Sequence, residues 1–309
     1  MPSPPRTSSV EFWEALHAAA QEAEPATRAA MLRTIRALRA AIDLDHVERL
    51  VNGALGADWA AGRIMQAMGL DQVIYEGITP LTATWERVAM AVGESSADAL
   101  EDAFAIPEID MDHFTRRVTE LSRRHSGELI TNLSRGRLVN GQQVGGQLQV
   151  IRDVLAANWQ RTPRQLAVAL KAVVGLTSRQ ALALERYRQA LEAAGTKAKE
   201  LAKLTTRERN RLGEIRANRI ARTETVSMAN RAQLELWAVE KEAGHLSGID
   251  LSREFQGLAG PKKYPPAHPN CLCAVQIILL GDGRFARKWI RVPAQQECPI
   301  CDSYQGQVI

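Results

Sequence analysis

The chain has 309 residues and 45% hydrophobic content, enough for a buried core, which excludes a wholly disordered protein. Aromatic residues make up only 5% while Ala, Leu, Arg, Glu and Gln abound, a palette of helices rather than of a sandwich or barrel. Thirty-nine Lys and Arg stand against thirty-five Asp and Glu, and a net charge of +4 excludes a polycation of the kind that coats nucleic acid.

No stretch approaches the roughly 18 to 20 apolar residues of a membrane span. The opening Met1-Pro2-Ser3-Pro4-Pro5-Arg6 lacks the apolar core of a signal peptide. A cytoplasmic protein without membrane contact is expected.

The first predicted helix covers Glu11 to Ala23, with a break at Glu24-Pro25 and a second helix to about Ile42. Ala30, Met31, Ile35, Leu38 and Ile42 recur mostly at three- and four-residue steps and belong on one buried face. Shorter helices are expected over His46 to Asn52 and Ala60 to Met68. Thr79-Pro80 opens another, with Thr79 as cap and Leu81, Trp85, Val88, Ala89 and Val92 facing inward. Asp112 is placed to cap a helix from His113 to about His125, and Asn140-Gly141 with Gly145-Gly146 mark a loop.

Thr162-Pro163-Arg164-Gln165 has the form of a capping box, and Gly175-Leu176-Thr177-Ser178-Arg179-Gln180 ends that helix and begins the next, over Ser178 to Ala194. Residues 205 to 243 read as a long helical stretch, weakened at Gly213, with Thr223 placed to cap a new turn near Arg222-Thr223-Glu224, and terminated by Gly244. From Arg179 to Arg222 twelve basic residues face five acidic ones, so one helical region carries the basic excess. Arg179, Arg186, Arg207, Arg209, Arg211 and Arg216 are its candidates for DNA phosphates, against the alternative of a solvated helix face. Apart from Tyr187 no aromatic is interleaved, so base stacking is not indicated.

Residues 245 to 309 are Gly- and Pro-rich with strand-like runs at Val275 to Leu280 and Lys288 to Val292. They hold all four cysteines, in Cys271-Leu272-Cys273 and Cys298-Pro299-Ile300-Cys301. A lobe this small needs a staple. Cys298 and Cys301 can direct two sulfurs to one tetrahedral centre, with Cys271, Cys273 and His268 supplying the remainder. Five candidates for four positions leave the ligand set open, and unliganded thiols or a disulfide remain alternatives to a structural zinc. In a reducing compartment metal is favoured over disulfide. His17, His46, His113, His125 and His245 are isolated and receive no catalytic role. Arg222 and Glu224 fit buried ion pairs better than an active site. The fold class expected is mainly α, a helical bundle with a small zinc-stabilised C-terminal α+β lobe, divided as 1–160, 161–244 and 245–309.

Gly175 to Ala181 with Tyr187-Arg188, then Arg219-Ile220-Ala221-Arg222-Thr223-Glu224-Thr225 with Asn230, then His268-Pro269-Asn270-Cys271-Leu272-Cys273 and Cys298 to Cys301, resemble the phage head-morphogenesis family of minor head proteins. The resemblance covers about 165 to 309, and in it Arg222, Thr223 and Glu224 form a structural motif. The family usually places its Cys-Pro-x-Cys segment before the His-Pro-x-Cys-x-Cys segment, the reverse of the order here. The resemblance implies a non-enzymatic virion component, located at the capsid interior or portal vertex and in the host cytoplasm during assembly. Its implied partners are the portal protein, major capsid or scaffold proteins and, in some members, phage DNA. The rival reading is a zinc-containing, nucleic-acid-binding regulatory protein.

Overall fold

The computed structural model describes residues 10–106, 109–139, 142–267, 271–291 and 298–309; among these, helices account for most of the chain and the longer strands lie near its C-terminus. The mainly α class with a small α+β lobe is what composition and patterning indicate. Among the described residues no single helix is long and apolar enough to cross a membrane.

The first helix, α1 (Val10–Ala40), runs through Pro25 instead of breaking there. Pro25 removes one backbone donor, whose acceptor would be the carbonyl of Gln21. Both residues are exposed, so water can take the place of the lost bond. The core face reads as expected, with Ala30, Met31, Ile35, Leu38 and Ile42 buried.

After α2 (Leu44–Asn52), α3 (Ala57–Ala67) and α4 (Leu70–Ile78), a single 3-10 turn at Thr79–Leu81 leads into α5 (Thr82–Phe104). Thr79 does not cap α5. Its hydroxyl donates back to the Tyr75 carbonyl at 2.7 Å, and the turn carries the chain forward. Helix α6 spans Met111–Ser134; Asp110, not Asp112, supplies its N-terminal acceptor, taking the His113 amide at 2.8 Å. A short hairpin, β1 (Arg137–Val139) and β2 (Gln142–Val144), precedes α7 (Gly146–Asn158).

Both capping boxes are formed, Thr162 with Gln165 at α8 (Pro163–Val173) and Thr177 with Gln180 at α9 (Ser178–Ala193). Helix α10 (Ala198–Glu242) is continuous over 45 residues. Thr223 donates to the Arg219 carbonyl at 2.7 Å within it and breaks nothing. Gly213 is buried and leaves room for the Arg39 guanidinium, 3.3 Å from where a Cβ would stand. Gly244, at φ +87°, closes the helix as expected.

The chain forms two compact units, one of Met1–Thr27, Leu81–His125 and Arg219–Ile309, the other of Arg28–Pro80 and Ser126–Asn218. These differ from the three consecutive segments read from sequence, because α1, α6 and α10 each begin in one unit and end in the other.

In the second unit α2 packs on α8 and α3 on α7. The turn between α8 and α9 is held from three sides. Gln147 donates to the Leu176 carbonyl at 3.2 Å and accepts the Gly175 amide at 2.7 Å, Arg216 donates to Leu176 at 2.7 Å, and Arg39 donates to Val174 at 3.1 Å. Gly175 sits at φ +89° against α1, where a Cβ would lie 2.8 Å from the Ile35 side chain and 3.2 Å from its carbonyl oxygen. Gly175→Ala is therefore expected to cost about 1–3 kcal/mol, read as a lower urea midpoint at unchanged slope; wild-type stability would contradict this packing.

Candidate metal centre

In the first unit, the lobe after α10 is built on an antiparallel hairpin of β3 (Ala274–Leu279) and β4 (Phe285–Ile290), paired from Ala274 with Ile290 to Leu279 with Phe285. The last residues of the chain cover the other edge of β4, with Arg287 and Ile309 exchanging backbone hydrogen bonds of 2.8 and 2.9 Å. Arg287 is fully buried; it donates to the carbonyls of Lys263 (2.9 Å) and Arg253 (2.6 Å) and lies 5.5 Å from the Phe255 ring centroid. Burial pushes its pKa down to about 10. One guanidinium thus ties the irregular 253–263 segment to the hairpin.

Cys271 and Cys273 lie just before β3, and Cys301 lies in α11 (Pro299–Asp302), with Pro299 in its first turn. The sulfurs of Cys271, Cys273 and Cys301 are all within 4.8 Å of one another and all three residues are buried. The Cys271 and Cys301 sulfurs are 3.7 Å apart, and none of the four cysteines is in a disulfide. Four ligands at about 2.3 Å around a tetrahedral ion would stand about 3.8 Å apart, so the group has the dimensions of a metal site and could hold one. Cys298 caps α11, half-exposed, with its sulfur within hydrogen-bonding reach of Cys301. His268, the remaining candidate, lies outside the described residues.

The electrostatics follow from crowding. Cys273 has its pKa pushed strongly upward, first by its hydrogen bond with Cys271 and then by burial. Burial, reinforced by the charge of Cys271, raises Cys301 to about 12. Neighbouring thiolates repel one another in a site with little water. A divalent cation removes that penalty by replacing the thiol protons, so binding is coupled to proton release.

Two helices fix the Cys-Leu-Cys segment. Asn230 of α10 donates to the Val226 carbonyl at 2.9 Å and, at 3.5 Å, to the carbonyl of Cys273. His17 of α1 is buried and hydrogen-bonds to the backbone of Leu272. Burial pushes the His17 pKa down against the pull of that hydrogen bond, and the charge of Arg222 adds to the lowering. The segments that carry the Asn230 and Cys273 motifs therefore meet in space, although 43 residues separate them. Glu224, one turn before Met228, faces His125 of α6 with an oxygen 3.4 Å from Nε2, and His125 packs edge-on against Trp85 at 4.6 Å. Arg222 and Thr223 are partly buried on the same helix.

The basic candidates separate into two groups. Arg179, Arg186 and Arg207 are exposed; Arg211 is exposed but paired with Glu208 at 2.6 Å. Arg209 is only partly exposed, and burial lowers its pKa. Arg216 departs from the expected wet face. It is buried against the Leu176 carbonyl, with its pKa lowered to about 10 by desolvation and by Arg39.

His17 is the residue that sequence reading passed over. A lone histidine on a helix far from the cysteines carries no local signal of its role. Comparison with protein-family models, with curated proteins and with solved structures found no match for this chain.

If the three buried sulfurs form one site, Cys271→Ser, Cys273→Ser and Cys301→Ser each lower affinity for Co(II) by at least about 10-fold, seen as a weakened thiolate-to-metal charge-transfer band in a titration. Variants that titrate like the wild type would show that these thiols do not share an ion.

Proposed function

We propose that this chain is a phage minor head protein, a non-enzymatic component that binds the portal vertex or the capsid interior during head assembly. The observation that carries the reading is the structural use of the resembling motifs. Gly175 permits the close approach of α1, Asn230 reaches the Cys273 carbonyl, and Cys271, Cys273 and Cys301 converge in one buried group. Residues used this way stabilise a surface for partners, which suits assembly by contact.

The metal proposed is zinc, because soft thiolates in a tetrahedral cluster suit it and a structural ion would complete a lobe too small to hold itself. Cys271, Cys273 and Cys301 would hold it, with Cys298 beside Cys301 as the fourth sulfur. Its chemistry there would be structural, locking the Cys-Leu-Cys segment to α11. The order of the cysteine pairs in this chain, reversed relative to that family, is no obstacle to this, since a metal needs ligand identity and geometry rather than chain order. Exposed Arg179, Arg186 and Arg207 are the side chains proposed to reach packaged DNA.

The direct test is co-expression with a phage portal protein and its major shell protein, followed by sedimentation of the assembled particles. A few copies per particle, lost when the portal protein is omitted, are expected. A chain that stays at the top of the gradient, or that binds duplex DNA tightly without any shell protein, would favour the regulatory reading.

A further inference from the structure

Trp289 occupies the centre of the lobe, fully buried on β4 and paired across the hairpin with Val275, two residues after Cys273. Its ring is held on both sides. Phe255 meets it edge-on at 5.2 Å, and Tyr304, three residues beyond Cys301, stacks on it at 4.6 Å and 24°. Tyr304 is itself anchored by its hydroxyl, which donates to the Gly260 carbonyl. Gly257 lies beneath that ring, with no space for a side chain, since a Cβ would stand 2.6 Å from Tyr304.

The indole N–H is buried and meets no oxygen or nitrogen acceptor among the described residues. A buried donor without a partner costs about 1–3 kcal/mol, and a rigid aromatic stack gives it no freedom to turn elsewhere. What lies beside it, diagonal across the hairpin on the same face, is the sulfur of Cys273, within reach of the ring N–H. A neutral thiol is a weak acceptor, whereas a metal-bound thiolate carries the charge that a donor of this kind seeks.

We propose that the Trp289 indole N–H is a positioning donor to the Cys273 sulfur, orienting that thiolate toward the ion and drawing off part of its charge. This rests on the metal reading of the cysteine group. With three or four thiolates on one divalent ion the site carries net negative charge, and each N–H···S contact lowers the cost of burying it. The same contact accounts for a tryptophan at a position where phenylalanine would fill most of the volume. Tyr304 and Phe255 act through it, by holding the ring in register.

The test uses the full chain loaded with cadmium-113, a spin-½ ion that takes the place of zinc in thiolate sites. In the wild type a through-bond correlation between the metal and the Trp289 indole proton is expected. Trp289→Phe should retain the helical circular-dichroism spectrum, lose that correlation and weaken cadmium binding about 10- to 100-fold. Cadmium uptake without the indole correlation, or unchanged affinity in Trp289→Phe, overturns the inference and leaves the metal site standing. No cadmium uptake by the wild type overturns both. Should Trp289→Phe fail to fold, the wild-type correlation decides alone.

Discussion

Three buried thiols within 4.8 Å of one another impose the constraint on which the terminal lobe depends. As thiols they are weak hydrogen-bond formers and add little to the lobe's cohesion. As thiolates without a counter-charge they cannot share so small and dry a space. Only with a cation do they become the strongest contacts in the lobe, and the free energy of binding is then free energy of folding. The hairpin, the 253–263 segment and α11 bury a small core of Phe255, Trp289 and Tyr304, and that core surrounds the cysteines from the side of the strands.

The cysteine group is also joined to the helices of its own unit. Asn230 and His17 each bond the backbone between or beside the two ligands, from α10 and α1 respectively. Backbone carbonyls so held cannot rotate freely, and the sulfurs that follow them are aimed as a consequence. Any ion held by these sulfurs would therefore be felt beyond the lobe, at α1 and α10.

Much of this was legible in the amino-acid order where the signals are local. Thr162 with Gln165 and Thr177 with Gln180 are capping boxes in both sequence and structure, because the partners lie three residues apart. The buried faces of α1 and α5 follow from spacing. Local signals failed where tertiary contacts outweigh them. Pro25 breaks nothing because its orphaned carbonyl is wet, and Thr223 bonds its own helix. Arg216 looked like one more charge on a basic face, yet α8 ends beside it and offers a carbonyl in place of water. For the site, Cys271, Cys273, Cys298 and Cys301 were visible as a group by spacing alone. Their convergence on one centre was expected from that spacing, and Cys271 and Cys301 do meet across 30 residues; the part played by His17 was not legible, since it depends on how the lobe lies against its helices.

The central claim is that one sulfur-ligated ion organises the C-terminal lobe. X-ray absorption at the zinc edge of the purified, zinc-loaded chain tests it most directly. The account predicts a first shell dominated by sulfur at about 2.3 Å. A shell of nitrogen and oxygen alone, at about 2.0–2.2 Å, would contradict it and place any bound zinc elsewhere on the molecule.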